Sequence, residues 1–125
     1  MEDDGELRGP LLPEGVLPDD EDWHPRTRQW WETWRRSAQA QVFIETDWDF
    51  LLDTALLHHV MWTKGRWEFA SEVRLRAAKY GATPEDRMRL KLKIETPADK
   101  PAPAETPRST SDRRKNLRIV SEDSA

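Results

Sequence analysis

The chain has no cysteine among its 125 residues, so no disulfide framework and no thiolate metal site can be built from it. It also has no apolar run near the roughly 20 residues of a membrane-spanning helix, and its acidic start, Met1-Glu2-Asp3-Asp4, is the opposite of a signal peptide. Its five glycines never fall in the phosphate-cradling frame G-x-x-x-x-G-K-[ST], which argues against ATP hydrolysis by this chain. Hydrophobic residues make up 36% and charged residues 35%, with a mean hydropathy of -0.92. That balance is low in apolar material for a globular domain, and it predicts one small compact part with disordered flanks.

Tryptophan is what the chain has in excess. All seven lie between Trp23 and Trp67, with Trp23, Trp30, Trp31 and Trp34 closely spaced. A side chain of that size is costly to expose, so the core is expected in this third of the sequence.

Charge is unevenly spread. Residues 1–22 carry nine acids against Arg8 alone, a net of -8 within a total of -4, which leaves +4 on residues 23–125. A basic body is what a nucleic-acid partner requires, although a solvated helical face has the same composition. Prolines and glycines are spaced too closely in residues 1–22 for a helix or central strand, and an extended or disordered arm is expected. Residues 96–125 open on a Pro-Ala-Thr linker and contain the basic patch Arg113, Arg114, Lys115, Leu117 and Ile119, read as a disordered tail ending in a docking peptide for a protein partner. The domain between them, residues 23–95, has about 70 residues, near the lower limit for folding without a metal, a disulfide or a partner, so oligomerisation is expected.

Within it the expected fold class is all-α, a small bundle of about four helices with a helix-turn-helix-like unit. Pro25 suits a first helical position, and a helix is predicted from there to about Arg36, with Trp30, Trp31 and Trp34 on one face. Residues 37–45 form a connection whose Val42, Phe43 and Ile44 plug the core. Thr46, Asp47 and Asp49 make a helix start, with Thr46 as cap, and Trp48, Leu51, Leu52, Ala55, Leu56, His59 and Trp62 follow at helical spacing up to a stop at Gly65. A third helix runs from about Arg66 to Tyr80 with Gly81 as its stop. Thr83-Pro84-Glu85-Asp86 repeats the start signal, and residues 84–94 are read as a fourth helix, although Met88 to Ile94 alternate apolar and basic at the period of a strand and could form an edge pairing between subunits.

Two constellations invite a catalytic reading. Asp47, Asp49 and Asp53 could be carboxylates for two-metal nuclease chemistry, but acids at a helix start are what its dipole favours, and no strand scaffold accompanies them. His58 and His59 are adjacent, so they cannot face one metal as an i, i+4 pair does. No metal, cofactor or catalytic residue is therefore expected. The DNA-facing surface is placed instead on Arg66, Arg74, Arg76, Lys79, Arg87 and Arg89, where cations, with Lys91 and Lys93, outnumber Glu68, Glu72, Glu85 and Asp86. The acidic arm, of opposite charge, is expected to compete with DNA for that surface, so that deleting residues 1–22 tightens binding at low salt.

Five blocks in order carry a family resemblance: the run from Trp23 to Ser37, Phe43 to Asp49, Leu51 to Leu57, Ala70 to Arg76, and Gly81 to Arg87. Over roughly residues 23–94 the chain resembles the small terminase subunit of tailed phages that infect actinobacteria. The resemblance implies a non-enzymatic packaging protein in the cytoplasm of the bacterial host. Such a protein recognises double-stranded viral DNA, assembles into a ring-like homo-oligomer, and recruits and regulates the large terminase subunit, which carries the ATPase and nuclease. A helical transcription regulator is the alternative, and a small nuclease a third reading.

Overall fold

The computed structural model describes residues 1–96; the tail patch from Arg113 to Ile119 lies outside them. Four α-helices carry the fold: α1 (Pro25–Arg36), α2 (Glu45–Lys64), α3 (Ala70–Ala78) and α4 (Pro84–Arg89), joined by short 3-10 turns at Ala38–Val42 and Trp67–Phe69. No strand is present among the described residues. The bundle is all-α, as expected.

The termini of α1 follow the sequence closely. Pro25 occupies the first turn, where its missing N–H costs nothing, and the His24 side chain accepts from the Arg26 N–H at 3.0 Å. Thr27, Trp31 and Trp34, spaced four and three apart, are buried on one stripe, while Trp30 is half-buried beside them. The following turn departs from expectation. Val42 and Ile44 are 60% and 66% exposed, and only Phe43 packs inward, with Ala38, Gln39 and Ala40 buried. A 3-10 turn repeats every three residues, so Ala40 and Phe43 share the inner side and the neighbours of Phe43 fall off it.

Helix α2 begins at Glu45, one residue before the expected Thr46 cap; instead Asp47 accepts from the Ile44 N–H at 2.9 Å, which satisfies one of the free donors of the first turn. Trp48, Leu51, Thr54, Ala55, His58 and His59 are buried along it, but Leu56 and Trp62, expected on the same stripe, are 37% and 39% exposed. Gly65, at φ +65°, closes the helix in the left-handed conformation. The third helix is shorter than expected, because a 3-10 turn takes up its first residues, and Lys79 to Gly81 already form a turn.

At α4 the capping box is present: Thr83 accepts from the Asp86 N–H and Asp86 accepts from the Thr83 N–H, both at 3.2 Å. The helix nevertheless ends at Arg89 and does not reach residue 94. Lys91 sits at φ +59°, and the chain then runs extended to a parallel bridge between Glu2 and Glu95. The period-two alternation of 88–94 is thus a real signal for its last residues, whose partner is the chain's own N-terminal arm.

That arm, expected to be extended or disordered, runs extended and packs against the bundle. Leu12 and Leu17 are 8% exposed and join the core of Trp23, Trp31, Trp34, Trp48, Leu51 and Ala55. Backbone carbonyls of the arm take the indole protons: Trp31 Nε1 donates to Pro10 O at 3.0 Å and Trp23 Nε1 to Pro13 O at 2.7 Å. Arg35 Nε donates to Arg8 O at 3.1 Å. A buried indole needs an acceptor for its one donor, and the arm, regular only in a 3-10 turn at Pro18–Asp20, has free carbonyls to offer.

Two adjacent histidines fasten α2 to the rest. Nδ1 of His59 accepts from the His24 N–H at 2.9 Å, which leaves the ring proton on Nε2, 2.8 Å from Glu21 Oε1 at the end of the arm. His58 pairs through Nδ1 with Thr27 Oγ1 at 2.8 Å and stacks on Trp30 with ring centroids 5.1 Å apart. Burial, with a smaller contribution from the charge of Arg26, depresses the His58 pKa from 6.5 to about 4. The unfolded chain therefore binds a proton in that window that the folded one does not. Stability is expected to fall by about 3 kcal/mol as pH drops from 6.5 to about 4. Urea midpoints of the wild type and His58→Gln across this range check it; parallel curves would remove His58 as the source.

Candidate nucleic-acid interface

The six cations expected to face DNA are spread over the α2–α3 connection, α3 with its C-terminal turn, and α4. Arg66 follows Gly65 at the start of the α2–α3 connection, paired with Glu68 and lying 5.2 Å from the Phe69 ring centroid. Between it and Lys79 lie the 3-10 turn and the nine residues of α3, a helix about 13.5 Å long. Along α3, Arg74 and Arg76 are two positions apart and so point about 200° away from each other. Arg76 and Lys79, three apart, share one flank with Glu72, to which Arg76 Nε donates at 2.9 Å. Arg74 lies on the opposite flank, aligned with Ala70 and Ala78.

The remaining two are tied to the α3–α4 turn. Arg87 donates to Gly81 O at 3.0 Å, and Arg89 reaches Ala78 O and Asp86 Oδ1, each at 3.4 Å. These bonds hold the turn but leave guanidinium nitrogens over. Arg74, Lys79 and Arg87 have no ion-pair partner among the described residues, and of the three Arg74 and Lys79 are exposed.

Sequence reasoning passes over other cations. Arg26 sits 5.9 Å from the ring centroid of Trp62, whose edge meets Trp67, itself 59% exposed, at 5.8 Å. Arg36 and Lys93 lie beside Arg87 around an open groove at the end of α1. In the sequence Arg36 reads as part of the Trp-rich helix and Lys93 as part of a helix that does not form. The signal there is that Glu32, the one acid within a helical turn of Arg36, is also within reach of Arg35, which takes it, and that Lys93 has no acid three or four residues away. The acids of the arm, for their part, pair elsewhere: Asp4 with Arg8 at 2.7 Å, Glu14 with Arg28, and Glu21 with His59 and Lys64. Among the six cations, Arg66, Arg76 and Arg89 pair with acids outside the arm, Glu68, Glu72 and Asp86.

The sequence as a whole matches the family model described as phage terminase small subunit over residues 1–118. The chain belongs to this family. No curated protein and no solved structure matches it. Membership assigns a DNA-packaging role that is non-catalytic, with DNA and a large terminase subunit as partners. The match takes in the N-terminal arm, in keeping with an arm that is part of the packed domain. No helix among the described residues is long and apolar enough to cross a membrane.

Proposed function

We propose that this chain is the DNA-recognising adaptor of a packaging machine, working as a homo-oligomeric ring in the cytoplasm of an actinobacterial host and regulating the large subunit's ATPase. The observation that carries the reading is the family match over residues 1–118. The ring is supported by the small size of the domain and by the apolar side chains left on its surface, among them Phe50 and Leu75 at 61% and 53% exposure. The host is supported by the five sequence blocks that carry the resemblance. The basic tail residues Arg113, Arg114, Lys115, Leu117 and Ile119 are proposed as a second docking element.

For DNA we propose α2, the turn at Gly65 and α3 as the reading unit, with Arg74 and Lys79 as principal phosphate contacts, Arg66 and Arg76 flanking, and Arg87 and Arg89 at the following turn. Arg74→Glu and Lys79→Glu are each expected to weaken duplex binding and to lower the slope of log affinity against log salt by about 1 for each phosphate the variant no longer touches. Filter binding over a salt series checks this. An unchanged slope in both variants would place the DNA elsewhere. Solution mass with and without DNA separates the adaptor from a transcription regulator: a defined oligomer of more than two chains supports packaging, and a dimer on a palindromic site supports regulation.

A further inference from the structure

One groove of the domain shares only Arg87 with the proposed DNA contacts. It is an open trough of about 830 Å³ between the end of α1, the start of α4 and residues 92–96. Its apolar lining includes Pro84, Met88, Leu92 and Ile94, with Met88 79% exposed. Arg36, Arg87 and Lys93 stand around it against the one acid Asp3. The side chains of Arg36 and Lys93 are exposed, and Arg87 commits one nitrogen to Gly81 O.

The backbone at the groove is also half used. The arm occupies one edge of residues 93–95: Glu95 N–H donates to Met1 O at 2.8 Å, Asp3 N–H to Glu95 O at 2.8 Å, and the Met1 amine to Lys93 O at 2.9 Å. In an extended chain alternate residues turn their N–H and C=O to opposite edges. Ile94 therefore presents its pair away from the arm, and no described residue takes either group. A free extended edge beside an apolar floor is a template for a visiting chain.

We propose that this groove binds an extended peptide segment of a protein partner in which carboxylates alternate with apolar side chains. The visiting backbone pairs with Ile94, its apolar side chains cover Met88 and Leu92, and its carboxylates meet Arg36 and Lys93. Charge complementarity selects an acidic segment, and the apolar floor selects a peptide over a DNA backbone, whose phosphates would leave that floor uncovered. On the packaging reading, on which this part alone rests, the partner is the large terminase subunit.

The test uses the full chain and a short fluorescein-labelled peptide alternating Val and Glu, with a Val and Lys peptide as control, read by anisotropy. The Glu peptide should bind and the Lys peptide should not. The double variant Arg36→Glu/Lys93→Glu, both changes at exposed side chains, should weaken the Glu peptide by roughly tenfold or more. Ile94→Pro, which removes the free N–H and spares the bonds at Lys93 and Glu95, should weaken it as well, with a thermal melt confirming the fold. Equal binding of the two peptides, or an affinity unmoved by the double charge reversal, overturns the proposal. Displacement of the bound Glu peptide by short duplex DNA would also overturn it, giving the groove to nucleic acid. Duplex binding by the wild type, measured alone, decides the adaptor reading separately.

Discussion

Deleting residues 1–22 is expected to abolish the cooperative thermal transition of the domain. The arm supplies Leu12 and Leu17 to the core, each worth about 1.5–3 kcal/mol when fully buried. It also supplies the carbonyl acceptors of Trp23 and Trp31, and a buried donor left without its acceptor costs a further 1–3 kcal/mol or so. Glu21 is lost as the partner of His59 in the same cut. Together these reach about 5 kcal/mol or more, as much as a small domain has to spare. Far-ultraviolet circular dichroism and tryptophan emission, which shifts to the red as Trp31 and Trp48 become wet, are the measurements. A truncated chain that melts within a few degrees of the full one would refute this role for the arm. The expectation from charge alone, tighter DNA binding after the same deletion, assumes that the arm can leave without consequence for the fold.

A single methyl group at Gly9 should be nearly as damaging. Gly9 has φ +74°, and a Cβ there would stand 2.3 Å from both Cε2 and Cζ2 of Trp48. The indole cannot retreat, because it is 8% exposed and its ring meets Trp31 and Phe43 at centroid distances of 5.5 and 5.3 Å. Overpacking costs about 1–3 kcal/mol and the left-handed backbone roughly 1–2 more, so Gly9→Ala is expected to destabilise by about 2–5 kcal/mol. Gly15→Ala is the matched control: it shares the left-handed backbone at φ +73° but has open space around it, and only the backbone cost applies. Denaturant midpoints for the two variants should differ clearly; equal losses would mean that the approach to Trp48 does not matter.

Local chemistry makes the helices legible in the sequence. Pro25 and Arg36 bound α1, Gly65 and Gly81 stop the chain where a left-handed residue is needed, and Thr83 with Asp86 starts α4. The arm is illegible for the complementary reason. Its order comes from partners far away in sequence, as in the bond from Trp31 to Pro10 across 21 positions, while its own residues have no propensity for regular structure. Leu11-Leu12 and Val16-Leu17, set among prolines beside a tryptophan-rich helix, are the sign it offers. At the candidate interface, counting cations along the sequence does not show how their side chains are set on the helices. Arg74 and Arg76 read as neighbours in sequence and lie on opposite flanks of α3, and Lys93 belongs to an extended segment that the capping box conceals.

The bridge from Glu2 to Glu95 also has a meaning in time. It joins positions separated by nearly the whole domain, as does the bond from the Met1 amine to Lys93 O across 92 positions. Closing so long a loop has an entropic cost that local helix contacts do not, so the clasp is expected among the last contacts to form during folding and the first to open by fluctuation. Each such opening leaves residues 93–95 briefly bare on both edges while the tryptophan core below stays shut. Slow hydrogen exchange at α1 and α2 beside fast exchange at Asp3 and Glu95 would be the record of that hierarchy.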